Sequence, residues 1–158
     1  MYYYFLKKDI IALEKKINEV LEETKEAGKK IGESCEVGAD TWHDNFDYEE
    51  AVRQMSMVSS HLKQLTNIRN KAKVISPNKS NDKVSIGKTA VCLVDGQEIA
   101  YTIGSYIILK DKANEQSNQK IISYISPIAK LLIHHSVGEI CEGLIGKNNK
   151  KFKIISIS

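Results

Sequence analysis

Apolar and small side chains recur three and four residues apart through Ile10, Leu13, Ile17, Val20, Thr24, Ala27, Ile31 and Ser34. That spacing is a heptad stripe, the seam of a helix that packs lengthwise on another. It weakens into small and polar residues near Ser34, and Gly38 supplies a natural helix stop. A second stripe runs through Tyr48, Val52, Met55, Ser59, Leu62, Leu65, Ile68 and Ala72. Asp44 and Asn45 stand at its start as good N-caps, and Pro77 closes it after Ile75. Each helix has one apolar seam, so the two are predicted to pack antiparallel. At 1.5 Å per residue, a helix of about 32 residues is about 48 Å long. The first half is therefore predicted to be a helical rod over residues 1–75.

Residues 76–82, Ser-Pro-Asn-Lys-Ser-Asn-Asp, read as a linker. The period then changes. Val84 to Val94 is β-like, Asp95-Gly96 is a hairpin signal, and Ile99 to Ile108 returns as a strand. Lys110 to Gln119 reads as a polar loop and Ile121 to Tyr124 as a short strand. Ser126-Pro127 is a cap followed by Pro at the first helical position, opening a short helix to Ile133 or His134. Val137 to Ile145 and Phe152 to Ile157 make a last hairpin across Gly146-Lys-Asn-Asn-Lys. Residues 83–158 are thus predicted to form a small, mostly antiparallel sheet with one helix, giving an α+β chain.

Charge sharpens the picture. Residues 1–75 carry 12 basic and 13 acidic side chains, and residues 76–158 carry 11 and 7. Between Lys30 and Arg53 there is no Lys or Arg, yet that gap holds Glu33, Glu36, Asp40, Asp44, Asp47, Glu49 and Glu50. The turn between the helices is therefore a concentrated negative field. No apolar run approaches the roughly 18 residues that a membrane span requires. The first charges follow the apolar start rather than precede it, so no export signal is read. Cys35, Cys92 and Cys141 form no CxxC pair, which argues against a zinc ribbon or a redox motif and fits a reducing cytoplasm.

Two strings carry a family resemblance. Asp44-Asn45-Phe46-Asp47-Tyr48 with Ala51 resembles the acidic turn of the Gre transcript-cleavage factors of bacterial RNA polymerase. Ile122-Ser-Tyr-Ile-Ser-Pro-Ile-Ala-Lys130 with Val137-Gly138-Glu139 is similar to the strand-helix-strand signature of their globular domain. Asn70 to Ile75 also resembles the end of their second helix. The resemblance implies an N-terminal antiparallel helical hairpin, or coiled coil, followed by a small FKBP-like antiparallel β domain with one helix. It implies an accessory factor and not a nuclease alone. In that family the globular domain docks on the rim of the polymerase secondary channel and the tip reaches the active centre, and the resemblance implies the same here. There, acidic tip side chains help hold a second catalytic Mg²⁺, and the polymerase cuts its own backtracked RNA. The expected partner is RNA polymerase, with the nascent RNA 3′ end met indirectly, and neither a membrane nor a small-molecule substrate is expected.

The chemistry agrees with that implication. Mg²⁺ takes oxygen ligands and keeps several waters, so one or two carboxylates beside substrate phosphates suffice. A second metal stabilises the attacking and leaving oxygens of displacement at phosphorus. A lone acidic tip would bind Mg²⁺ weakly, so the ion is expected only in complex with polymerase. The candidate carboxylates are Asp44 and Asp40, with Trp42, His43 and Asn45 as partner contacts. The family's cleavage-active turn carries two acids three apart, the second just before Asn. Here Asp44 holds the second position, Thr41 stands three before it, and Asp40 lies one residue further. A channel-binding regulator without cleavage is therefore the alternative, and the two readings part at the Asp40/Asp44 geometry.

Other features read as structure. Asp47 and Glu50 complement the helix dipole. The spacing of Asp40, Asp44 and Asp47 lacks the alternation and central Gly of an EF-hand. Adjacent His134 and His135 face different directions on a helix. Lys147, Lys150, Lys151 and Lys153 read as a solvated hairpin. A prolyl isomerase would need an aromatic-lined pocket, for which the second half offers only Tyr101, Tyr106, Tyr124 and Phe152.

Overall fold

The computed structural model describes residues 1–37, 46–78, 80–109 and 118–158. They form two compact units, Ile11–Lys71 and the combination of Met1–Ile10 with Ala72–Ser158.

The helical unit follows the apolar stripes. Helix α1 spans Lys7–Val37 and α2 spans Phe46–Asn70. Along α1, Leu13, Val20 and Ala27 are buried, and Ile17, Thr24, Ile31 and Ser34 are half-buried. In α2 the stripe differs at its start. Ala51 is buried, whereas Tyr48 and Val52 are each 40% exposed. From Ala51 the inward positions continue through Met55, Val58, Leu62 and Leu65, an unbroken alternation of four and three. Val52 is one residue, about 100°, away from that line. Arg69 at the end of α2 pairs with Glu14 near the start of α1 at 2.6 Å, which shows the antiparallel order.

Helix α2 stops earlier than the sequence pattern predicts. The Lys71 amide turns back onto the Ile68 carbonyl at 3.2 Å. Ala72–Ile75 then forms strand β2, so the string Asn70 to Ile75 is a helix end, a turn and a strand. Its partner is β1, Tyr3–Leu6, paired in parallel from Tyr3↔Ala72 to Leu6↔Ile75. This pairing is why the structural division falls at Lys71/Ala72 and returns the first ten residues to the globular unit, unlike the expected boundary after residue 75.

The globular unit holds a five-stranded sheet in the order β5-β4-β3-β7-β6. Its strands are β3 Thr89–Val94, β4 Gln97–Gly104, β5 Gln119–Ser123, β6 Ile140–Ile145 and β7 Asn148–Ile157. Only β4 and β5 pair in parallel; the other neighbours are antiparallel. Asp95 and Gly96 take positive φ of 52° and 81°, the backbone a tight two-residue hairpin needs. The last hairpin is tighter than predicted: Ile145 faces Asn148, so Asn148, Asn149 and Lys150 join β7. Of the predicted loop 110–119, residues 110–117 lie outside the described residues, and Gln119 opens β5.

Helix α3, Pro127–Leu132, starts as its sequence dictates. The Ser126 hydroxyl accepts from the Ala129 amide at 3.2 Å, and Pro127 needs no N–H partner in the first turn. Its Ala129 and Leu132 are buried with Val84, Cys92, Tyr101, Ile103, Phe152 and Ile154 in one core. Leu131 lies over Gly143 of β6, where an added Cβ would come within 2.7 Å of it.

Candidate functional site

The two helices bracket the acidic window. Glu33 is exposed near the end of α1, and that helix has no basic residue in its last turn. Glu36 occupies the last turn by position. Acids at a helix C-terminus face the negative end of the dipole, an arrangement the fold does not need for stability. At the start of α2, Asp47 and Glu49 sit in the first turn, where the dipole favours them, and both are exposed. The negative field is therefore built from both helix ends, and on α1 it runs against the helix dipole.

Glu50 stands apart from this set. Arg53 donates to it twice, each bond 2.8 Å, and Gln54 adds a third at 3.2 Å. The Arg53 hydrogen bonds, then that of Gln54, lower the Glu50 pKa below its ordinary value. Its charge is thus already matched. Phe46, the first residue of α2, is 75% exposed. A large aromatic ring in water beside the acidic window is a contact candidate that seam spacing alone does not single out. Asp40, Trp42, His43, Asp44 and Asn45 lie outside the described residues. Among the described residues no three His, Cys, Asp or Glu side chains gather to hold a metal ion.

The globular unit offers little else that is reactive. Cys92 and Cys141 are buried free thiols. Burial, then the neighbouring Cys141, pushes the Cys92 thiol up to about 11, so it stays protonated near neutrality. The aromatic residues of the isomerase alternative separate into two groups. Tyr101 and Phe152 meet edge to face in the core at 6.0 Å. Tyr106 and Tyr124 instead join Tyr3 and Tyr4 beside β1. His134 and His135 follow the end of α3, where the His134 amide donates to Val84 and the His135 carbonyl accepts from it, both at 2.9 Å. Of the basic run, Lys150 pairs with Asp95 at 3.2 Å and Lys151 with Glu142 at 2.8 Å.

Residues 79–158 match the family described as transcription elongation factor, GreA/GreB, C-terminal. The chain belongs to the GreA/GreB family of transcription elongation factors. Relatives extend the match into the helices of this GreA/GreB-family chain. Transcription elongation factor GreA of Sulfurovum sp. is 31% identical over 152 residues, covering 90% of this chain and 88% of that protein. GreA of Rickettsia felis is 29% identical over 136 residues, covering 85% and 80%. Among solved structures, the GreA factor homolog Gfh1 of Thermus thermophilus aligns over 100% of this chain and 99% of its own, with 20% identity and a TM-score of 0.46. Within the described residues of this family member, no helix is long and apolar enough to cross a membrane.

Proposed function

We propose that this chain binds RNA polymerase in its secondary channel and stimulates Mg²⁺-dependent cleavage of backtracked RNA through Asp44 and Asp40. The observation that carries the reading is the base-free acidic window of residues 31–52, set between paired helices in a GreA/GreB-family chain. The polymerase supplies the nuclease, and this protein supplies side chains. Asp44 and Asp40 offer hard carboxylate oxygens, the donor type that suits Mg²⁺. When bound beside the polymerase's own metal, the ion stabilises charge on the attacking and leaving oxygens at phosphorus. Asp44 would supply a carboxylate oxygen to that ion. Trp42, His43 and Asn45 contact the channel walls. Asp47 and Glu49 keep the local field negative, and Glu50 is held by Arg53.

One observation favours a second reading. Thr41 stands where the family's cleavage-active turn carries an acid, three residues before Asp44. A protein that occupies the channel without adding a full acid pair would compete with cleavage factors rather than cleave. The test uses polymerase stalled on a backtracked, end-labelled transcript, with wild type, Asp44→Ala and Asp40→Ala. Rapid RNA shortening that is lost in Asp44→Ala supports the first reading. Competition against a cleavage-active factor, with no shortening by wild type, selects the second. Neither shortening nor competition overturns both.

A further inference from the structure

Strand β6 is the last of the five-stranded sheet, and among the described residues it pairs with β7 alone. Its far side is an open edge. Ile145 and Asn148 flank a two-residue turn, a pair that exchanges both backbone bonds across such a hairpin. At the other end the Ile154 amide donates to the Glu139 carbonyl at 3.0 Å, which keeps the same alternation. The N–H and C=O groups of Ile140, Glu142 and Leu144 therefore point away from β7. Folded proteins guard such edges with Lys, Pro, bulges or very short strands. This strand, Ile-Cys-Glu-Gly-Leu-Ile, has no Lys and no Pro. Its single charged residue, Glu142, is held by Lys151 of β7 at 2.8 Å. Ile140 is 58% exposed and Leu144 69%, on the sheet face opposite buried Cys141.

We propose that the open edge of β6 docks an extended segment of a partner protein, with apolar residues for Ile140 and Leu144, an uncharged residue between them and acids at both ends. The inference goes beyond the function proposed above and does not depend on it. Charge selects this occupant. The β6–β7 hairpin carries Lys147, Lys150, Lys151 and Lys153 against Glu142 alone. Lys150 and Lys151 are matched by Asp95 and Glu142, but among the described residues no carboxylate pairs with exposed Lys147 or Lys153. Lys147 stands in the turn at one end of the edge, and Lys153 lies opposite Ile140 at the other. An added strand runs about 10 Å from the β7 backbone, two strand spacings, a distance that a Lys side chain spans in good part. A second copy fits less well. Setting Ile140 against Leu144 of another β6 places Glu142 against its own equivalent, like charges directly opposite. It also brings two Lys-rich hairpins together.

The test uses the full-length chain and a labelled peptide, Glu-Glu-Val-Thr-Thr-Thr-Val-Glu-Glu. Fluorescence anisotropy reads binding, and NMR-detected hydrogen exchange reads the edge. In the free protein the amides of Ile140, Glu142 and Leu144 exchange fast, and those of Cys141, Gly143 and Ile145 slowly. The peptide should slow the first three. Methylating the two Val nitrogens removes two edge hydrogen bonds and should weaken binding about tenfold or more. Replacing the four Glu by Lys should weaken it at least as much, and so should Ile140→Thr with Leu144→Thr, both on exposed positions. Absence of binding up to about 1 mM peptide overturns the proposal. So does binding that N-methylation leaves unchanged, or protection that falls on another strand. A dimer in sedimentation that Leu144→Thr dissolves assigns the edge to a second copy and overturns the acidic partner.

Discussion

Gly87 is the position where the backbone and its surroundings most clearly forbid a side chain. Its φ is +90°, and a Cβ there would meet the Pro77 ring at 2.8 and 2.9 Å and the Leu6 side chain at 3.2 Å. Gly87→Ala therefore adds two costs. Holding an L-residue at that φ costs about 1–2 kcal/mol. Forcing a methyl group against a stiff proline ring adds about 1–3 kcal/mol of overpacking. The sum is about 2–5 kcal/mol. Gly96 separates the terms, since its φ is +81° and nothing lies within 4 Å of its Cβ position. Gly96→Ala should show the backbone cost alone, about 1–2 kcal/mol. Urea unfolding followed by far-UV circular dichroism measures both, and Pro77→Ala added to Gly87→Ala should recover much of the difference. Equal destabilisation by Gly87→Ala and Gly96→Ala would mean that the Pro77 and Leu6 contacts carry no weight, contrary to this expectation. The comparison tests how β1 and the chain after β2 pack on the loop before β3.

Other consequences follow from the same geometry. Leu13→Ala removes a fully buried side chain from the helical unit and should destabilise by about 2–5 kcal/mol in thermal unfolding. Ser126→Ala leaves the Ala129 amide uncapped and should cost about 1 kcal/mol by urea titration. The Cys92 thiol has a raised pKa, so the unfolded chain ionises first as pH rises. Its contribution to stability is intact below pH 9 and is lost as pH climbs toward about 11, which a Cys92→Ala comparison in urea would isolate. Cys92 and Cys141 should also resist alkylation at neutral pH until the protein is unfolded.

Much of this fold is legible in the sequence because local rules decide it. The α1 seam follows from spacing alone. The Asp95-Gly96 turn and the Ser126-Pro127 cap follow from residues with few other backbone uses. What escapes is long-range or very short. Strands β1 and β2 have four residues each and are separated in sequence by both helices, so neither shows a period nor names its partner. The Ala72–Ile75 string prolongs the helical stripe by eye, and its pairing with β1 overrides that pattern. The start of α2 misleads because large Tyr48 and Val52 outweigh small Ala51 in a hydrophobic reading, while a close seam accepts the small residue. The bonds of Ser105 to the Leu6 amide and the Asp9 carboxylate are invisible in sequence, since a serine after a strand has no periodic meaning. The acidic window is legible because charge needs no register: seven acids without a base are a field in any conformation.

On the proposed function, tip carboxylates supply metal affinity to the polymerase active centre. The most direct measurement is the Mg²⁺ concentration that gives half-maximal cleavage of backtracked RNA, with polymerase alone, with this protein, and with Asp44→Asn. The expected result is that the protein lowers that concentration and that Asp44→Asn, which keeps the size of the side chain but removes its charge, abolishes the shift while still binding polymerase. The same half-maximal Mg²⁺ concentration in all three, with cleavage still stimulated by wild type, would contradict it.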